Sequence, residues 1–286
     1  MFDKGLAEES QHSANADLLA PIPGSLFIAR RVRYTRTNER VPELHLNSCR
    51  TMRGQSTMEG DPKYQTGDPA APSSVPPGII ISSDTFRENR IPPGQTRTRK
   101  WPVLQWGPIP DIPVDQWRFE VGGLVERPFS LNWTEYLALP RAKVFSDFHC
   151  VTRWSRLGNI WEGVSIQTLM ERAGVKPEAR FVIALGYDDG WTTNMPLADI
   201  AQPDVLLADT HDGQPINFEH GGPVRLVVPR LYAWKSAKWC RSLTFLDHDQ
   251  PGLWEQQGYH NHGDPWVEER FGSETLPSGW TEESDF

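Results

Sequence analysis

The sequence predicts an α+β fold, with mixed sheets joined by short helices and the functional site carried in loops. Three observations predict it. Runs of β-branched and aromatic residues recur, as in AKVFSDF (142–148), ARFVIALGY (179–187) and VLLADT (205–210). Helical periodicity is confined to short stretches, of which GVSIQTLMERAGV (163–175) is the best. No internal repeat interrupts this mixture.

Composition bounds the rest. A chain of 286 residues holds one large domain or two small ones. Hydrophobic content of 38% and a mean hydropathy of −0.53 are low for one globule, so part of the chain is expected to stay unfolded. Residues 1–78 fit that part. MRGQSTMEGDPKYQTGDPAAPSSVPPG (52–78) is dominated by Pro, Gly, Ser and charge, and cannot bury enough apolar surface to offset its ordering entropy. A disordered or weakly ordered extension is expected there, with no catalytic role for Cys49; a translation start near Met52 or Met58 is a separate hypothesis, which N-terminal sequencing decides. The folded domain is expected over 79–286. A net charge of −8 argues against nucleic-acid binding, which calls for a basic stripe. Three widely spaced cysteines make neither a disulfide framework nor a metal knuckle. No apolar run approaches the roughly 18 residues of a membrane span. The Arg30-Arg31 pair lacks an apolar stretch after it, so no export signal is read and a cytoplasmic protein is expected.

Taken in order, IPPGQTRTRKWPVLQWGPIPDIP (91–113) is an extended loop, because its prolines fix φ and remove donors. DQWRFEVGGLVERPFSLN (115–132) alternates on both sides of Gly122-Gly123, which predicts a hairpin turning there. WTEYLAL (133–139) is a short helix stopped by Pro140. The strand 142–148 leads into Cys150, and Gly158-Asn159 marks a turn. Ser165 caps the 163–175 helix, Ile166, Leu169 and Met170 form its apolar face, and Gly174 ends it. Strand 179–187 turns at Asp189-Gly190 into WTTNMPL. A brief helix over PLADIAQP, strand 205–210, a turn at His211-Asp212-Gly213 and a buried RLVVP strand follow. The tail DQPGLWEQQGYHNHGDPWVEERF (249–271) is too rich in turn residues for regular structure.

Three stretches carry chemistry. In FHCVTRWSRLGN (148–159), Cys150 ends a strand and meets Arg153 and Arg156 at once. Nearby positive charge favours the thiolate, the form that attacks or binds metal. The residues alone equally allow a buried cysteine packed as a small apolar side chain. EHGGPVRLVVPRLYAWKSAKWCRSLTFLD (219–247) sets His220 and Arg225 beside a glycine pair, with Lys235 and Lys238 after them. This suits a phosphate or another anion, or else a solvated basic face on strands. In the tail, Trp254, Tyr259, His260, His262 and Trp266 form an aromatic and polar strap, where tyrosine commonly satisfies a hydrogen bond.

Together FHCVTRWS, HGGPVRLVVP…WKSAKW and W-x-x-x-x-Y followed by GDPW resemble the sulfite-oxidase-like molybdopterin oxidoreductases. They resemble most the short bacterial members without a haem or dimerisation domain, over roughly residues 90–271. The resemblance implies the sulfite-oxidase-type fold and a molybdenum–molybdopterin cofactor (Mo-MPT). It makes Cys150 the metal ligand, a soft thiolate suited to a soft-ligated redox metal. His220 and Arg225 hold the pterin and its phosphate, Trp234 and Lys235 lie in the segment closing on the cofactor, and Lys238 is the lysine of a V/I-K-W motif. Tyr259 matches the active-site tyrosine, with Arg153 and Arg156 around the open coordination position. Gln105 and Trp106, in the loop ahead of the domain, are further cofactor contacts. Two departures stand out. Ser155 occupies the position of a sulfite-binding arginine, and CVTRWS looks more like bacterial protein-methionine-sulfoxide reductases. The implied function is oxygen-atom transfer between Mo(VI) and Mo(IV), to or from a sulfite-like anion, an S-oxide or an N-oxide. Electrons pass to or from a separate redox partner, since no haem or iron–sulfur motif is present. The alternatives are a molybdopterin-binding protein without turnover and, less so, a zinc hydrolase using Cys150, His260 and His262.

Overall fold

The computed structural model describes residues 71–272, so of the expected extension 1–78 only 71–78 are described, and Cys49, Met52 and Met58 lie outside. In chain order the strands and helices are β1 (Ile80–Ile81), β2 (Thr96–Arg97), β3 (Arg118–Gly123), β4 (Phe129–Asn132), α1 (Trp133–Leu137), β5 (Ala142–His149), β6 (Trp154–Ser165) and α2 (Ile166–Ala173). They continue as β7 (Phe181–Gly186), β8 (Thr192–Pro196), α3 (Leu197–Ile200), β9 (Leu206–His211), β10 (Gln214–Pro215), β11 (Arg225–Val227), β12 (Cys240–Leu246) and α4 (Leu253–Gln256).

Two mixed sheets result. The first has seven strands in the order β1-β5-β6-β9-β10, with β2 added on β6 and β11 on β9. Its spine is the antiparallel β5–β6 pair, and β1 and β2 join it in parallel. The second has five strands in the order β4-β3-β12-β7-β8, with β3 and β12 parallel. The α+β expectation is met.

Local sequence explains the elements. In β9, Leu207 faces the main core while Leu206 and Ala208 face a second cluster with Val144, Phe148, Trp161 and Val227. A strand buried on both faces reads as an unbroken apolar run, and each such leucine contributes about 1.5–3 kcal/mol. Helix α2 begins at the Ser165 cap, whose hydroxyl accepts from Gln167 N at 3.2 Å, and ends at Gly174 with φ 64°. Ile166, Leu169 and Ala173 are its buried face, with Met170 half-buried beside them. Helix α1 carries a capping box between Asn132 and Glu135.

Two turns fall elsewhere than expected. Gly158-Asn159 lies inside β6, where the register shifts opposite Ser146–Phe148. Gly158 takes φ 72°, and its N–H reaches the Asp147 carboxylate at 2.8 Å, so the glycine serves a bulge and not a reversal. Gly122-Gly123 ends β3, paired to Thr244 and Phe245 of β12, and the chain reverses over 124–128. Both errors have one cause: glycine marks unusual backbone, and only the partner strand decides which kind.

Candidate active site

Cys150 sits in a tight reversal between β5 and β6. Its N–H donates to Trp154 O at 2.9 Å, Arg153 N donates back to Cys150 O at 3.1 Å, and Arg153 takes φ 67°. The side chain is buried with Val151, Tyr232 and Trp234, and Leu104, Trp254, Tyr259 and Phe271 are half-buried around them. The Thr152 hydroxyl donates to Sγ at 3.1 Å. Burial pushes the thiol up from its ordinary value, against the pull of Thr152 and of the charges on Arg270 and Lys238. The cations acting on the sulfur are therefore not the neighbouring arginines the sequence suggests. Arg153 lines a surface depression of about 640 Å³ with Gly94, Gln95, Thr96 and Thr152. Arg156 points the other way. Its Nη1 donates to Asn159 Oδ1 and lies 3.0 Å from His211 Nε2, and its Nη2 donates to Asp212 Oδ2 at 2.8 Å.

Beside this lies a bay with one buried cation, Arg225, and the half-buried Lys238 and His220. Arg225, on β11, is 2% exposed and donates to the carbonyls of His220 at 2.7 Å and Ser236 at 2.9 Å. Lys238 Nζ donates to Leu104 O and Glu219 O, both at 2.7 Å. The His220 ring centre lies 3.9 Å from that of Trp101, tilted by 31°, and its Nε2 lies 3.0 Å from Trp101 O. Gly221 makes this approach possible: it takes φ 99°, and a Cβ there would meet Lys238 Cα at 2.8 Å. Among the described residues no carboxylate comes within ion-pair distance of Arg225 or Lys238. Burial alone lowers Arg225 to about 9. Burial, then the charge of Arg225, lowers Lys238 to about 7. His220, pressed by burial and by the cations, falls to about 4, and His211, likewise buried, to about 3.

Lys235 belongs to neither group. It is 0% exposed, and its ammonium meets Glu255 Oε1 at 2.6 Å, Asn194 O at 2.8 Å and Asn261 O at 2.7 Å. Glu255 Oε1 also accepts from Thr193 Oγ1 at 2.9 Å and Trp234 Nε1 at 3.0 Å. This lysine ties the C-terminal strap to β8 and does not face the bay. Trp234 does reach the cysteine cluster, its ring 5.2 Å from that of Tyr259, which also lies 4.9 Å from the Trp254 ring. Gln105 and Trp106 are exposed, and Trp106 packs edge-on to Trp254 at 5.5 Å. Their segment meets the site through Trp101 and Leu104 instead, which the sequence reading passed over. The cue was available, since Trp101 follows Arg99-Lys100 directly. The histidines of the zinc alternative are engaged elsewhere: His262 bridges Glu269 at 2.8 Å and Asp199 at 2.9 Å, and His260 lies 3.4 Å from Glu269. Among the described residues no group of three or more His, Cys, Asp or Glu side chains could hold a metal ion.

The donor set fits a group that combines a soft-ligated metal with an anionic tail. Cations buried without counter-charge are costly, and an anion seated among Arg225, Lys238 and His220 offsets that cost. The lone sulfur lies within electrostatic reach of Lys238, so both ends of such a group are served from one place.

A family model described as the oxidoreductase molybdopterin binding domain matches residues 106–254. The "Uncharacterized oxidoreductase YuiH" of Bacillus subtilis (strain 168) is 47% identical over 186 residues, 65% of this chain and 93% of that protein. The "Putative protein-methionine-sulfoxide reductase subunit YedZ1" of Azospira oryzae is 29% identical over 155 residues, 54% of this chain and 58% of that protein. The "Inducible nitrate reductase [NADH] 1" of Glycine max is 24% identical over 178 residues, 51% of this chain and 20% of that protein. The chain thus spans most of the Bacillus relative but little more than half, and a fifth, of the other two.

Proposed function

The chain belongs to the oxidoreductase molybdopterin-binding domain family, and from that premise we propose that it transfers an oxygen atom to or from a small substrate at a molybdenum–molybdopterin group ligated by Cys150. The observation that carries this reading is the buried Arg225 with the half-buried Lys238, neither within ion-pair distance of a carboxylate among the described residues, beside a buried thiol. His220, Arg225 and Lys238 hold the anionic end, with the Trp101 ring packed against His220. When bound, the group supplies a two-electron metal couple suited to oxygen-atom transfer.

The remaining work falls to the chain. Trp234, Trp254, Tyr259 and Phe271 give the cysteine cluster an aromatic rim that limits water. Tyr259 offers a phenol to orient a polar oxygen, and Arg153 places a cation at the mouth of the turn. Arg156 has no place in this set, because its guanidinium is committed to Asp212 and Asn159. An aromatic rim with one arginine supports an S-oxide or N-oxide bearing an apolar substituent over a bare oxyanion. The sulfoxide reductase name of one relative agrees with that preference. Electrons are exchanged with a separate redox protein, since three scattered cysteines leave no ligand set for an iron–sulfur cluster. Cytoplasmic placement is part of the same proposal. Among the described residues no helix is long and apolar enough to cross a membrane.

The test is elemental and pterin analysis of the full chain from molybdate-replete cells, then a turnover screen against sulfite, sulfoxides and N-oxides. Molybdenum and pterin are expected in equal amounts, with turnover on a sulfoxide or N-oxide that Cys150→Ser abolishes. Protein carrying neither element nor pterin, or full turnover in the serine variant, overturns the reading. Bound cofactor without turnover on any class leaves a carrier.

A further inference from the structure

Two side chains outside the motifs above hold the Cys150 turn. Gln95 donates its amide Nε2 to the Cys150 carbonyl at 2.9 Å. Arg270, near the end of the C-terminal strap, donates Nη1 to the Val151 carbonyl at 2.6 Å and Nη2 to the Pro93 carbonyl at 3.2 Å. The Arg153 carbonyl is taken by Thr96 N at 2.8 Å. One arm of the grip thus comes from ahead of the domain core and the other from the strap. The arms also meet each other, since a Cβ on Gly94 would lie 3.1 Å from Arg270 Nη2.

Arg270 is 3% exposed, with its guanidinium 5.0 Å over the Tyr232 ring. Its nearest acid is Glu268 at 3.7 Å, a half-exposed side chain. A guanidinium buried to bind two backbone carbonyls is a poor way to gain stability, because an apolar side chain would fill the same space without desolvating a charge. What it does give is a fixed position. The turn needs fixing, for Arg153 holds a left-handed φ of 67°, and such strain persists only where the surroundings over-determine the backbone. The strain sits three residues from the sulfur the reaction depends on, where small displacements cost rate steeply.

We propose that Gln95 and Arg270 are positioning residues of the reaction, a two-sided clamp that fixes where the Cys150 sulfur points. The proposal rests on Cys150 as the metal ligand, and the experiment separates the two ideas. Gln95→Met removes the amide at nearly constant shape and charge. Arg270→Lys keeps the charge and loses the fork.

Both variants are made in the full chain, purified from molybdate-replete and from molybdate-starved cells. Amide hydrogen exchange over residues 148–156 is expected to speed up about tenfold in either variant and either preparation, with the sheets unchanged. In loaded protein the molybdenum content should hold. The kcat for a sulfoxide should fall about tenfold with KM within about twofold, and the visible sulfur-to-metal absorption band should shift. Unchanged exchange and an unchanged band overturn the clamp. So does a loss of protection spread over both sheets, which marks a merely structural role. If Arg270→Lys fails to fold, Gln95→Met decides. If Cys150→Ser keeps the absorption band, the ligand assignment is what fails, and exchange over the turn still decides the grip on it.

Discussion

Lys235 and Lys238 stand on one short segment and meet opposite fates. Lys235 is closed off from solvent against Glu255, with backbone oxygens satisfying its other donors. Lys238 donates to the carbonyls of Leu104 and Glu219, and burial and then the charge of Arg225 drive it down to about 7 against the more distant pull of Asp188. The first ammonium is complete within the chain. The second has no carboxylate within ion-pair distance among the described residues, which is why we propose it for an anion. Where a chain buries a charge and neutralises it, the charge belongs to the scaffold. Where it buries a charge and leaves it unneutralised, something else is meant to bind.

The comparison breaks most visibly at Lys235. Lys235→Met leaves Glu255 ionised and buried, and is expected to cost about 3–5 kcal/mol in denaturant unfolding. Adding Glu255→Leu should recover most of that loss, since replacing both partners removes the orphaned charge as well. A single variant as stable as the parent would mean the pair is not what anchors the strap.

Lys238→Met should do the reverse. Stability of the cofactor-free protein should change by less than about 1 kcal/mol, because a like charge leaves the side of Arg225. Affinity for the pterin cofactor, followed by fluorescence on reconstitution, should fall about 10- to 100-fold, the worth of one charge-assisted hydrogen bond. Equal affinity in variant and parent would move the anion site away from the bay.

Acidity sharpens the contrast with the smallest effect. Lys238 near 7 and His220 near 4 lie below their ordinary 10.5 and 6.5, chiefly through burial. Between folded and ordinary values the unfolded chain binds more protons, so stability climbs with pH from about 4 to 6.5 for His220 and from about 7 to 10.5 for Lys238. His262 runs opposite. Hydrogen bonds it donates to Asp199 and then Glu269 raise it, so its contribution is full below 6.5 and fades as pH passes its folded value. Melting curves of cofactor-free protein should therefore climb between about pH 7 and 9 in the parent and not in Lys238→Met, since Arg225 adds its own climb only above about 9. Bound cofactor should flatten it. A climb that survives the substitution would assign it to another group.

Much of this was legible beforehand. A β-branched run ending at Cys150 and a glycine pair before Arg225 answer to local backbone needs and were legible from the residues, whereas Trp254 and Tyr259 joined the candidate site through the resemblance. Lys235 and Lys238 could not be told apart, since what separates them is a carboxylate supplied from the tail. Arg156 looked like a site residue from its distance to Cys150, yet strand geometry sends it to Asp212. Gln95 and Arg270 left no trace at all: their partners are main-chain oxygens, which every residue type provides equally.

The placement of Glu255 has a consequence for how the chain is made. Lys235 leaves the ribosome first, and until α4 follows, its ammonium lacks the Glu255 carboxylate it pairs with. Both sheets are already synthesised by then, so an interrupted product would carry nearly all the regular structure while this lysine leaned only on the more distant Asp199 and Asp249. The final segment completes the interior charge balance.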